Sequence, residues 1–223
     1  MLTMSVFGAG FALFAHPWPG TRRLSSGERN NGVNKAQIDQ MQISNVILTS
    51  PIFQEVLKDS DFLLLTVDEL IPQAHRNNHV GQGLLGSPNH LDVGPLLFLN
   101  KSKGQMYAFC HLGPSLEGGD GKVHNGILAT LLDESLCFCG FDKLPSKRGV
   151  TAQLTINFKD KVHLGKNGTD VILSANVKEW KGRKCIIDGQ VQTLERNPTT
   201  VADATCVLVE PKWFKWLSWV DLF

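Results

Sequence analysis

One stretch of the chain gathers the residue types that can do chemistry. "GKVHNGILATLLDESLCFCG", residues 121–140, holds His124, an Asn125-Gly126 step and the adjacent acids Asp133 and Glu134 in otherwise mostly apolar sequence. A carboxylate in a helix fit for burial is costly unless something pairs with it or uses it. Asp133 is therefore a candidate for general-base or nucleophilic work. The structural alternative is that Asp133 and Glu134 form a narrow solvated stripe. Asn125 and Gly126 stand where such a helix begins. Their backbone N–H groups point along its axis, and the helix dipole there favours a developing oxyanion. The alternative is that Asn125 is an ordinary N-cap. Asp133 lies nine residues after His124, which at about 100° per residue puts it half a turn away. A single copy would have trouble aiming both ends of this motif at one substrate. Cys137 and Cys139 lack the two-residue gap and second ligand pair of a zinc site, so no metal is expected.

These residues need elements to position them. Ile127, Leu128, Leu131, Leu132, Leu136 and Phe138 predict one helix over 126–139, apolar around most of its circumference and ended by Gly140. Residues 105–112, "QMYAFCHL", read as a strand. In "VTAQLTINF", 150–158, Val150, Ala152, Leu154, Ile156 and Phe158 take one face and Thr151, Gln153, Thr155 and Asn157 the other. That period of two predicts a half-buried strand. Further strands are predicted at 170–177, 185–194 and 201–209, with turn signals at Gly182 and Asn197-Pro198. The pattern is strand, buried helix, then a four-strand meander. It predicts an α+β fold, an antiparallel sheet curled around one central helix. With no helix between the later strands, a doubly wound nucleotide fold is excluded. Upstream, residues 30–80 read as helical and extended connectors. There "TSPIFQEVLKDS", 49–60, predicts a helix that uses Ile52, Phe53, Val56 and Leu57 to pack on the outside of the main domain.

The chain has 223 residues and a formal net charge of +1. That length suits one domain with extensions, and that charge offers nothing for nucleic acid to bind. Five irregularly spaced cysteines fit a reducing compartment. The sequons at Asn100 and Asn167 would matter only in a secreted chain. Residues 1–21 contain no acid and no Lys or Arg, and Arg22, Arg23 and Arg29 follow. Such a start predicts a mitochondrial targeting segment, with a short membrane anchor through residues 2–15 or a cytosolic tail as alternatives. At the other end, Trp213, Trp216, Trp219 and Phe223 share one helical face. That face suits either a membrane interface or packing on the protein itself.

Three motifs, in order and on the elements just drawn, carry a family resemblance. "VHNGILATLLDESL" resembles the His-Gly-Gly…Asp signature of hotdog-fold acyl-CoA thioesterases of the phenylacetate-pathway and Them types. "GVTAQLTINFKDKV" resembles their strand after the central helix, and "KGRK" at 181–184 is similar to their "EGRK". The likeness covers about residues 85–210, and the layout is most similar to the fungal mitochondrial branch. It implies a hotdog domain over 85–210, behind a targeting or anchor segment at 1–30 and a connector at 31–84, with an aromatic tail at 211–223. It further implies cofactor-free hydrolysis of medium- or long-chain acyl-CoA by a homodimer, a tetramer remaining open, with each site shared across the dimer interface. Asp133 would be base or nucleophile and would face the oxyanion donors Asn125 and Gly126 of the other copy. Thr151 would orient water or Asp133, and His124 would fix the loop. Asn157 and Lys159 would line the CoA path. Lys178, Lys181, Arg183 and Lys184 cluster near one turn, where they either meet CoA phosphates or form a solvated hairpin. Asn125 replaces the first glycine of the signature, and Asp160-Lys161 replace the usual Arg-Pro. The alternative functions are a catalytically weak acyl-CoA or lipid-binding module and, last, hydratase chemistry.

Overall fold

The computed structural model describes residues 43–216, apart from 66–70, 72–75, 78, 92–94 and 196. The expected targeting or anchor segment 1–30, and Trp219 and Phe223 of the tail, lie outside the described residues. Two short helices, α1 (Asn45–Thr49) and α2 (Pro51–Lys58), lead into β1 (Leu63–Leu65) and a π-helical turn (Val80–Leu84). Next come β2 (Leu96–Asn100), β3 (Gln105–Leu112) and the long helix α3 (Asn125–Phe141). The chain then forms β4 (Val150–Phe158), β5 (Thr169–Lys181), β6 (Lys184–Thr193) and β7 (Thr200–Val209). All seven strands join one antiparallel sheet in the order β1-β2-β3-β5-β6-β7-β4. The central helix and wrapped sheet are the architecture expected of a hotdog fold.

The expected four-strand meander is corrected at one strand. Only β5, β6 and β7 follow one another; β4 crosses to the far edge and pairs with β7. The reason is the helix between them. After β3 the chain runs along α3 beneath the sheet and emerges on the other side, while β5 returns to pair with β3.

Alternation along each strand sorts side chains to two faces. Met106, Ala108, Cys110 and Leu112 of β3, Leu173 of β5, Ile187 of β6 and Leu208 of β7 meet Leu128, Leu132 and Leu136 of α3 in the main core. Gly189 lets the helix come close, because a Cβ there would lie 2.6 Å from Leu136 Cδ2. The opposite face carries a second core in which Phe98, Phe109 and Ile172 receive Ile47, Phe53 and Val56 from α1 and α2. Phe53 meets Phe98 and Phe109 edge to face, with ring centroids 5.7 and 5.1 Å away. The 49–60 helix thus packs outside the sheet as its apolar spacing predicts. Farther along that outer face the residues turn polar, and Lys178 pairs with Asp188 at 3.1 Å.

β1 falls in the stretch expected to hold only connectors, and β2 falls in a part of the expected hotdog domain for which no strand was predicted. The signal for β2 was the run "LLFLN" before "KSKG", bounded as a buried strand and hairpin should be. Asn100 closes that hairpin, its side-chain oxygen accepting from Ser102 Oγ at 2.7 Å and Lys103 N at 3.0 Å. The Asn100 side chain of its sequon is buried in the fold. The tail begins as a 3₁₀ turn, Lys212–Trp216, in which Trp213 and Phe214 stack edge to face.

Candidate active site

His124 is the N-cap of α3. Its backbone is extended, with φ −65° and ψ 128°, and its Nδ1 accepts the Gly126 N–H at 3.0 Å. The preceding loop is held by His124 N donating to Leu116 O at 3.0 Å and Val123 N to Val162 O at 2.9 Å. His124, Asn125 and Gly126 are exposed in the single chain. Asn125 is the first helical residue, so its N–H has no partner within the helix. Of the two expected oxyanion donors, Gly126 is already engaged by the imidazole.

Asp133 sits half-buried two turns further on. Its Oδ1 accepts a 2.8 Å hydrogen bond from the Thr151 hydroxyl of β4. Strict alternation would have put Thr151 opposite Leu154 and Ile156. A β-bulge between Thr151 and Gln153 shifts the register, so that Thr151 reaches α3 while Leu154 and Ile156 still pack on the main core. Cys137, one turn after Asp133, lies 3.1 Å from the same hydroxyl. Asn125 and Asp133 are about 12 Å apart along the helix axis and about 80° apart around it. Within one chain they address different places.

Glu134, the second acid, parts from Asp133. It accepts the Gly81 N–H at 3.1 Å and approaches His79 Nδ1 at 3.6 Å. A Cβ at Gly81 would crowd Glu134 Oε2, so a larger residue there would push the carboxylate aside. Burial, opposed by the Gly81 N–H and aided by the charge of Asp133, raises the Glu134 carboxyl to about 7 from an ordinary 4.5. Burial also lowers the His79 imidazole. The two acids therefore do not form a solvated stripe. Glu134 is the structural member, tying the π-helical turn to the central helix. Its signal in the sequence was the "HVGQG" run, whose glycines permit close approach.

A stability prediction follows with a definite sign. Between pH 4.5 and 7 the folded chain keeps the Glu134 proton that the unfolded chain has released. The group's stabilising contribution is complete below that window and is lost as pH rises through it. Wild type is expected to lose on the order of 3 kcal/mol across the window relative to Glu134→Gln, which still accepts from Gly81. Urea denaturation of both proteins at pH 5 and pH 7.5 reads the difference, with His79 common to both.

The residues expected to hold CoA divide between two ends of the sheet. Asn157 is exposed and opposite Asp203; Lys159 lies just past β4 and pairs with Asp203 at 2.6 Å. Both lie toward the end where α3 begins. Arg183 sits in the β5–β6 turn beside Gly182, whose φ is +57°. It donates from Nη1 to Glu210 O at 2.6 Å, and Lys184 is exposed next to it. Through the register of β6, Lys184 lies six residues from Gln190, the partner of Asp203. That is about 20 Å along a strand. Thr151 lies nearer the Arg183 end, since Thr151 and Cys185 both pair with Leu208. Lys178 is not in this group, being paired with Asp188.

Known proteins match the segment that carries these residues. A model of the thioesterase superfamily matches residues 120–197, from the loop before α3 to the turn after β6. An uncharacterized mitochondrial protein of Candida albicans is 37% identical over 97% of this chain and 94% of its own length. The MIOREX complex component 3 of Saccharomyces cerevisiae is 39% identical over 84% of this chain and 77% of that one. An acyl-coenzyme A thioesterase of Xenopus laevis is 32% identical over 44% of this chain and 41% of that one. Helix, wrapped sheet and matched segment coincide, and the chain belongs to the hotdog-fold thioesterase superfamily, in a branch shared with these fungal proteins.

Proposed function

We propose that this chain hydrolyses acyl-CoA thioesters of medium or long chain to the free acid and CoA, without a cofactor, at sites shared between two copies. The observation that carries the reading is the Asp133–Thr151 hydrogen bond at 2.8 Å, on the same helix whose first N–H, that of Asn125, has no partner within the helix. Asp133 takes a proton from water, whose oxygen bonds to the thioester carbon. Thr151, donating to Oδ1, holds the carboxylate in orientation. The Asn125 N–H of the other copy stabilises the oxyanion, and the C–S bond breaks to release CoA thiolate.

The edge strand supports the shared site. β4 is nine residues long, ends the sheet, and exposes Val150 and Phe158. A bare edge of that length invites another strand. Two β4 strands paired antiparallel about Leu154 would set Thr151 opposite the partner's Asn157, near the end where the second helix begins. Exposed Val80 and Leu84 on the π-helical turn offer an apolar rim beside the same stretch of α3.

The acid-free N-terminus and the mitochondrial relatives support a mitochondrial location. No helix among the described residues is long and apolar enough to cross a membrane.

A panel of acyl-CoA substrates from acetyl to palmitoyl, read by release of the CoA thiol, tests the reading. Turnover that rises with chain length is expected. Because His124 already holds the Gly126 N–H, the specific alternative is an acyl-CoA binding module of low turnover. Tight binding with no thiol released from any substrate would establish that alternative instead.

A further inference from the structure

Beside the proposed catalytic pair the fold assembles a donor set that no spacing in the sequence announces. Cys137 of α3 does not meet Cys139, its neighbour in the chain. Its sulfur faces that of Cys206, from β7. One oxygen of Asp133 and the two sulfurs all lie within 4.8 Å of one another. The Thr151 hydroxyl touches the group from β4, 2.8 Å from Asp133 Oδ1 and 3.1 Å from Cys137 Sγ. Three separate elements thus converge on one point. Cys206 is buried, while Asp133 and Cys137 are partly open.

We propose that Asp133, Cys137 and Cys206 form a binding site for a thiophilic divalent cation such as zinc. Two sulfurs and one carboxylate oxygen are a donor set that zinc accepts readily. With bonds of about 2.3 Å to sulfur and about 2.0–2.2 Å to oxygen, a tetrahedral ion holds such ligands roughly 3.5–4 Å apart. The spread in this chain is close enough that small rotations of the three side chains would reach it. The open side at Asp133 leaves the fourth position for water or for the Thr151 hydroxyl. The ion would occupy a carboxylate oxygen of the proposed general base. Zinc is therefore an inhibitor, a consequence that rests on the functional reading above, whereas binding itself does not.

Titration of the purified full-length chain, kept reduced with a phosphine, with cobalt(II) as a spectroscopic stand-in decides the binding. One equivalent per chain is expected to produce thiolate-to-cobalt charge-transfer absorption that zinc then abolishes. Cys206→Ser and Cys137→Ala are each expected to weaken cobalt and zinc binding at least 10-fold, with Cys110→Ala, on β3, binding as wild type does. Thermal unfolding of each variant shows whether it is folded. Absence of the charge-transfer band, or zinc affinity in both cluster variants within twofold of wild type, overturns the site. In a second arm, zinc at one equivalent stops acyl-CoA hydrolysis by wild type but not by Cys206→Ser. Equal inhibition of the two overturns the link to Asp133. A wild type with no hydrolysis at all counts against the functional reading and leaves the cobalt result to judge the site.

Discussion

Asp133→Asn is expected to lower acyl-CoA hydrolysis by about 10²–10⁴-fold, the range a positioned general base supplies. Asn can still accept the Thr151 hydroxyl that now donates to Oδ1 at 2.8 Å, so the local packing should persist. What disappears is the oxygen able to take the proton from water. A separate variant addresses the other half of the site. Asn125→Pro deletes one backbone N–H at the first helical position, where proline is tolerated. The preceding residue, His124, is already extended as proline requires, with ψ 128°. Losing one oxyanion donor is expected to cost about 10²–10³-fold. If each site draws Asp133 from one copy and Asn125 from the other, the two inactive variants complement. Refolded together, they should regain activity, because about a quarter of the sites are then whole. Full activity in Asp133→Asn would remove the aspartate from the mechanism, and failed complementation would place the site within one chain.

Phe53→Ala should destabilise the fold by about 3–5 kcal/mol, as expected for emptying a fully buried phenylalanine site. Phe53 is 0% exposed and holds α2 against Phe98 and Phe109 on the outer face of the sheet. The cavity lies on the side away from α3. The rate per folded molecule should therefore stay near that of wild type while the urea midpoint falls. A loss below about 1 kcal/mol would mean that the outer layer adds little to the cooperative unit.

The central helix and most strands were legible because their signals are local. Leu128, Leu132 and Leu136 declare a buried helix from their own spacing, and α3 extends the expected range by only one residue at its start and two at its end. Val150 to Phe158 declare a strand by alternation, and β4 has those bounds. β2 and β1 were harder. β2 is buried on both faces and shows no alternation, and β1 has only three residues. At the site, His124, Asn125, Asp133 and Thr151 could be named because a motif concentrates them. Glu134 stood beside them in the sequence with a different destiny, decided by a turn more than fifty residues away that supplies the Gly81 N–H.

What the sequence by itself determined is each element's type and which of its faces is apolar, since period and propensity act between near neighbours. The tertiary structure decided the rest. It carried β4 to the far edge, turned Thr151 toward Asp133 through a bulge, and brought Cys206 to Cys137. These contacts join segments far apart along the chain. They form only when the helix lies in the curl of the sheet, where burial of the shared core selects one register out of many.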